Sequence, residues 1–288
     1  MILSMTGFAS SSAELPGIWL AVELRSVNHR YLDVTLKLPE ELRMLEPALR
    51  ERLVGAQKRG KLECRVTLTR VLGAGSTITI NPERVAQLSN AAAGVARAIP
   101  GTPPLTTADI LRWPGVLVDA AVSQEALVEQ VDALVQQALG ELTEARAREG
   151  TKLRAVLEAR CADIESQVAR IAPRIPALHA AYVEKLGARL REAGADPSDE
   201  RLKQELALFA TKIDVAEEVA RLSTHVAEMR RVLAQGGSVG KRLDFLAQEL
   251  HREANTLGAK SVDAELSQVS LELKVLIEQM REQVQNLE

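Results

Sequence analysis

The sequence predicts an α+β protein: a mainly antiparallel N-terminal sheet with helices, then a long helical region, then a C-terminal antiparallel helical bundle. Three observations carry that reading. Apolar residues alternate with period two through residues 18–38 and 61–70. From Ser123 the apolar spacing lengthens to about 3.5 residues and holds almost to the end. Between the two regimes lies a stretch rich in proline and glycine: Pro100, Gly101, Pro103, Pro104, Pro114 and Gly115.

Taken in order, LSMTGFASSS is a first, weakly alternating strand. IWLAVELRSV follows the Pro16-Gly17 turn with Ile18, Leu20, Val22 and Leu24 on one face. YLDVTLKL is a third strand, ended by Pro39. Residues 40–59 have helical composition, with Pro47 suited to a first turn. KLECRVTLTR and STITI are further strands, and Asn81-Pro82 opens a helix to about Ala98. Thr106 or Thr107 caps a short helix, and Ser123 caps the long one, in which Gly150 is a candidate bend. Pro173, Pro176 and GADPSD punctuate the connector. Three helices are expected in the last third: one from Ser198 or Asp214 to Leu233, one over 240–257 ended by Gly258, and one from Ser261 onwards. The expected domains are 1–156 (the α+β part with the long helix), 157–202 (a helical connector) and 203–288 (a helical domain). Apolar seams this long on separate helices favour self-association.

Composition narrows the function classes. Only 7 of 288 residues are Phe, Tyr or Trp, so aromatic stacking cannot dominate nucleic-acid binding. Two isolated cysteines, Cys64 and Cys161, make neither a metal motif nor a disulfide framework, which fits a reducing cytoplasm. No secretory signal is expected, and no apolar run approaches the roughly 18 residues of a membrane helix. Charge is uneven: residues 1–100 carry 13 Lys/Arg against 9 Asp/Glu, the remainder 23 against 30. A basic first part suits an anion and an acidic second part a divalent metal, although mutual attraction between the parts accounts for the same division. Arg50, Arg52, Lys58, Arg59, Lys61, Arg65 and Arg70 form either a phosphate-binding face or an ordinary solvated one.

The stretch GKRLDFLAQELHREANTLGAKS, residues 240–261, has one apolar face and an opposite face crowded with charge and amides. Glu249 and Glu253 are four apart, hence neighbours, and such a pair can share a hard divalent cation. A salt-bridge lattice is the competing account. In the preceding helix Glu217, Arg221 and His225 fall in one row. Glu218 and His225 are seven apart, about 10.5 Å along the axis, too far to chelate one ion together, so each would meet a group on the 240–257 helix. His225 is a base, a ligand or a packing residue. His225 and Glu228 lack the paired E-x-x-H of di-iron bundles. Phosphate-binding glycine loops, G-x-S-x-G and H-E-x-x-H are all absent, which removes nucleotide hydrolases, dinucleotide enzymes, ordinary serine hydrolases and zinc proteases. Cys64, mid-strand, reads as core.

Several segments carry a resemblance to a known family. MTGF (Met5–Phe8), ELRSVNHRYLD (Glu23–Asp33), LEP with LRERL (Leu45–Leu53), RGKLEC (Arg59–Cys64), RLSTH, GKRLDFLAQELHREANTLGAKS and ELKVLIEQMREQVQNLE resemble the YicC/YloC family. His251 departs from the polar residue often found there. The resemblance implies a cytoplasmic endoribonuclease that cuts single-stranded RNA with a divalent metal, Mg or Mn, and forms a ring-like homo-oligomer, a hexamer. The matching positions include Arg25, Asn28 and Arg30 near the N-terminus. Towards the C-terminus they include Glu217, Glu218, Arg221, His225, Arg242, Gln248, Glu249, Arg252, Glu253, Asn255, Thr256 and Lys260. From their chemistry we assign metal to Glu218, Glu249 and Glu253, water activation or ligation to His225, and RNA phosphates to Arg25, Asn28, Arg30, Arg221, Arg242, Arg252 and Lys260. His225, Glu249 and Glu253 form the expected catalytic set. The rival readings are a non-catalytic RNA-binding adaptor ring acting in RNA turnover or stress response, and a purely structural oligomer.

Overall fold

A computed structural model describes residues 1–70, 79–118, 122–192, 194 and 200–288. The chain forms two units: a sheet unit, Phe8–Leu142, and a helical unit made of Met1–Gly7 with Thr143–Glu288.

The sheet unit is the predicted antiparallel-rich α+β part. Strands β1 (Gly7–Leu15), β2 (Ile18–Val27), β3 (Leu32–Lys37) and β4 (Gly60–Arg70) hydrogen-bond in the order β1-β2-β4-β3. β2 runs antiparallel to β4 with Val22 opposite Val66 and Leu24 opposite Cys64. β3 runs parallel to β4 because helix α1 (Glu46–Ala56) lies between them in the chain and carries it across. Pro47 sits in the first turn of α1, as its missing N–H predicts. The period-two pattern turns Leu20, Val22, Leu24, Leu62, Cys64 and Val66 into a core with Leu49 and Leu53. β5 (Thr79–Ile80) pairs with β6 (Leu117–Val118); the rest of STITI lies outside the described residues. α2 (Pro82–Ala98) is capped by Asn81, whose side chain accepts from the Arg84 N–H, and α3 (Thr107–Arg112) by a reciprocal Thr106–Asp109 capping box.

Helix α4 (Gln124–Ile171) runs 48 residues through both units. Its first part packs Val131, Leu134, Val135, Ala138 and Leu142 into the sheet-unit core. Its later part packs Leu157, Cys161, Ile164, Val168 and Ile171 into the helical core. A real helix repeats every 3.6 residues, so the seam drifts: Val156, on the expected line, is exposed, and Leu157 takes its place. α4 runs uninterrupted through Gly150. A side chain there would strike the backbone carbonyl of Ile2, so the glycine admits the N-terminal segment.

The helical unit continues with α5 (Ile175–Glu192) and α6 (Glu200–Ile213), joined by a Tyr182–Phe209 stack. α7 (Ala216–Gln235), α8 (Gly240–Lys260) and α9 (Ala264–Val284) complete it. Of the two starts expected for the helix that reaches Leu233, Asp214 is the one found: α7 begins just after it, α6 is a separate helix, and the Asp214 side chain accepts from the Ala216 N–H. Two boundary expectations need correction. α8 continues past Gly258, which is interior because the Ser270 hydroxyl occupies the space a Cβ would need. α9 is capped by Asp263 rather than opened by Ser261. Most of GADPSD lies outside the described residues. The core joins Leu222, Val226 and Met229 of α7 to Leu246, Leu250, Ala254 and Leu257 of α8 and to Val269, Leu273 and Ile277 of α9. Each of the Val, Leu, Ile and Met side chains contributes about 1.5–3 kcal/mol when buried, and together they hold α7 against α8.

Candidate metal centre

Because the apolar stripes of α7 and α8 face each other, the polar residues beside them meet along the solvent edge of the contact. Four rungs result. Arg242 reaches Glu228 at 3.4 Å; His225 meets Glu249; Arg221 reaches Glu253 at 3.5 Å; and Lys260 reaches Glu218 at 2.8 Å. As α7 numbers fall from 228 to 218, α8 numbers rise from 242 to 260, the signature of an antiparallel pair. The steps of three or four residues on α7, and of seven, four and seven on α8, follow one helical face on each side.

The central rungs converge. His225, Glu249 and Glu253 each offer a ligand atom, and these atoms lie within 4.8 Å of one another. Glu253 is buried, while His225 and Glu249 are half-buried. Among the described residues this is a group of three donors able to hold a metal ion. A donor set of one imidazole and two carboxylates suits Mn²⁺ better than Ca²⁺ or Mg²⁺, whose partners are normally all oxygen.

Cations flank the group. Arg221 bridges Glu217, four residues back on α7, to Glu253 on α8. Its guanidinium pKa is raised by Glu217 above all and by Glu253 next, which fixes its charge. Arg231, then Arg242, holds the Glu228 carboxyl down to about 2. Arg252, on the outer face of α8, is exposed.

The predicted site residues therefore divide. His225, Glu249, Glu253 and Arg221 come together. Glu218 is not in the three-donor group: it is buried, its Oε1 accepts from Lys260 Nζ, and its Oε2 has no hydrogen-bond partner. Lys260 is occupied twice, by Glu218 and by the Asp214 carbonyl. Arg25, Asn28 and Arg30 lie in the sheet unit. Arg25 borders a surface depression with Phe8, Glu23, Glu63 and Arg65; Arg30 lies 5.3 Å over the Tyr31 ring; Asn28 is exposed. Sequence reasoning missed Glu228 as the end rung, although Glu218, Arg221, His225 and Glu228 step evenly along α7. It also missed Phe245, which is half exposed beneath the Arg242 guanidinium.

The fold and site define a class: an α+β chain whose helical unit sets a histidine–carboxylate cluster among arginines. The family model described as "Endoribonuclease YicC-like, N-terminal region" matches residues 2–155, and "Endoribonuclease YicC-like, C-terminal" matches residues 171–288. The chain is 38% identical over 291 residues to the "Probable endoribonuclease YicC" of Haemophilus influenzae, with both chains fully covered. It is 27% identical over 293 residues to the protein of the same name from Clostridioides difficile, again over the whole of both. The chain belongs to the YicC-like endoribonuclease family. Among the described residues no helix is long and apolar enough to cross a membrane.

Proposed function

We propose that this chain is a divalent-metal-dependent endoribonuclease that cuts single-stranded RNA, with its reaction centre on α7 and α8. The carrying observation is the convergence of His225, Glu249 and Glu253 within 4.8 Å from two helices. The donors fit a cation: two are carboxylates, one of them buried beside a single guanidinium at 3.5 Å, a partial neutralisation that leaves room for further positive charge.

His225, Glu249 and Glu253 would hold the ion, most suitably Mn²⁺. Bound there, it would supply Lewis-acid activation of water and of a phosphodiester oxygen. The protein's own contribution is positional. The α7–α8 core fixes the three donors on rigid helices. Arg221 and Arg252 offer guanidiniums whose fork geometry matches two phosphate oxygens and which stabilise charge developing there. Arg25, Asn28 and Arg30 offer further backbone contacts from the sheet unit. Assembly as a homo-oligomeric ring, a hexamer, is part of the same reading. The exposed Leu271 and Val275 of α9 support it as apolar surface that a second copy would cover.

Calorimetry with Mn²⁺ and a cleavage assay on an unstructured RNA oligomer test the proposal together. The expected result is one Mn²⁺ site per chain, lost in Glu249→Gln/Glu253→Gln, with cleavage stopped by EDTA and by the double substitution. Full Mn²⁺ binding and cleavage by the double variant would overturn the site. RNA binding indifferent to EDTA, with no cleavage, would make the protein an adaptor instead.

A further inference from the structure

One aromatic side chain occurs on the two helices that build the candidate centre. Phe245 lies four residues before Glu249 on α8, so it shares that face and stands about 6 Å further along the axis. Its side chain is half exposed and absent from the helical core. The residues beside it on the outer face are polar: Lys241, Arg242, Gln248 and Glu249. The guanidinium of Arg242 sits over its ring, 5.8 Å from the centroid, and is tethered by Glu228. A large apolar ring kept out of the core and ringed by charge contributes little to folding, and solvation alone would favour a polar residue there.

Two partner classes use exposed aromatic rings. A protein interface would surround the ring with other apolar side chains, because interface centres are depleted of charge. The neighbours here are charged and amide groups, which is the setting of a base-stacking platform: a π-face for the base, with cations for the phosphates on either side. Arg242 covers one side of the ring and reinforces the stack through a cation–π contact. The other face is the one left for a base.

We propose that Phe245 stacks a nucleobase of the bound RNA, in the nucleotide adjacent to the phosphate that a cation at Glu249 and Glu253 would hold, with Arg242 bracing the ring. This deepens the reading above and rests on it for the identity of the ligand. Stacking accepts every base, so the site would position single-stranded RNA without selecting a sequence. It would exclude a paired duplex, whose bases offer no free face to a side chain.

The test measures binding of an unstructured RNA oligomer in EDTA, where cleavage is stopped, by anisotropy and by fluorescence of 2-aminopurine placed along the strand. Phe245→Ala and Phe245→Leu are expected to weaken binding by about 5- to 150-fold, the range for one lost base stack. Phe245→Trp should retain affinity and quench 2-aminopurine at one position. An abasic nucleotide at that position should weaken binding to the unsubstituted protein while adding no loss to Phe245→Ala. Mn²⁺ affinity, read by calorimetry, should be the same in all four proteins. Equal RNA affinity for Phe245→Ala and the parent overturns the stacking site alone. So does a Phe245→Ala variant whose assembly mass changes while its RNA affinity does not, which would assign the ring to a protein contact. A parent protein that does not bind the oligomer overturns the RNA reading itself, and this inference with it.

Discussion

Arg221 Nη1 lies 3.5 Å from Glu253 Oε1, so a guanidinium already rests on the buried carboxylate of the candidate metal centre. The same arginine is held by Glu217 one turn back on α7. A cation entering beside Glu253 therefore meets an existing positive charge, and the two share one carboxylate. This arrangement places a guanidinium, the group proposed to hold a phosphate, next to the three candidate donors, at the cost of weakening the proposed metal site.

That cost is measurable. Arg221→Gln removes the competing charge while keeping a hydrogen-bonding side chain, and Mn²⁺ affinity should rise about tenfold, or roughly 1.4 kcal/mol. RNA cleavage should fall in the same variant, because the guanidinium proposed to hold a phosphate is gone. Calorimetry and a cleavage time course check the two halves separately. Weakened Mn²⁺ binding would mean Arg221 positions Glu253 rather than competing for it.

Glu218 and Lys260 form an ion pair at 2.8 Å across the same two helices. Lys260→Met strands a buried carboxylate whose second oxygen is already without a hydrogen-bond partner, and should lower stability by about 2–4 kcal/mol in urea denaturation. Glu218→Gln should cost less, since the lysine it releases can reach solvent. Neither change should move Mn²⁺ affinity by more than about twofold, given their place outside the three-donor group. A large loss of Mn²⁺ binding in Glu218→Gln would return Glu218 to the ligand set.

Gly258→Ala separates local propensity from packing. An isolated helix gains about 1 kcal/mol from this change. In the folded protein the new methyl meets the Ser270 hydroxyl, which is itself buried and donates to the Ala254 carbonyl. The expected outcome is a destabilisation of about 1–3 kcal/mol, read from the denaturation midpoint. A more stable variant would show that the α8–α9 contact yields easily.

The thiols give a pH prediction. Burial pushes Cys64 up to about 12 and Cys161 up to about 11, from an ordinary value of 9.0. Both should resist iodoacetamide in the native protein at pH 8 and react once it is unfolded, as mass spectrometry can count. Because the folded values are raised, the stability these thiols contribute is complete below pH 9.0 and is lost as pH climbs towards about 11 to 12. A native Cys64 labelled as fast as free thiol would contradict its burial.

Much of this fold was legible in the sequence because periodicity is a local property. The alternation in β2 and β4 and the near-3.5 spacing in α4, α8 and α9 located those elements, and Asn81, Thr106 and Ser123 marked helix starts by cap chemistry. The misreadings share one cause. Gly150 and Gly258 look like helix breakers by propensity, but each is glycine because another part of the chain approaches it. The break at Asp214-Val215 falls at one of the two starts expected for the helix that reaches Leu233, and the amphipathic pattern alone does not choose between them.

The sequence by itself determined the α+β class, the apolar stripes of the helices, and the presence of Glu249 and Glu253 on one face, since all three follow from residue spacing. The tertiary structure decided which polar residues share a site. Packing α7 antiparallel on α8 brings His225 to the carboxylates, gives Glu218 to Lys260, and leaves Phe245 outside beside Arg242. Spacing fixes the face on which a residue lies. The partner across from it depends on how two helices slide against each other, and interdigitation of Leu222, Val226, Leu246 and Leu250 sets that register.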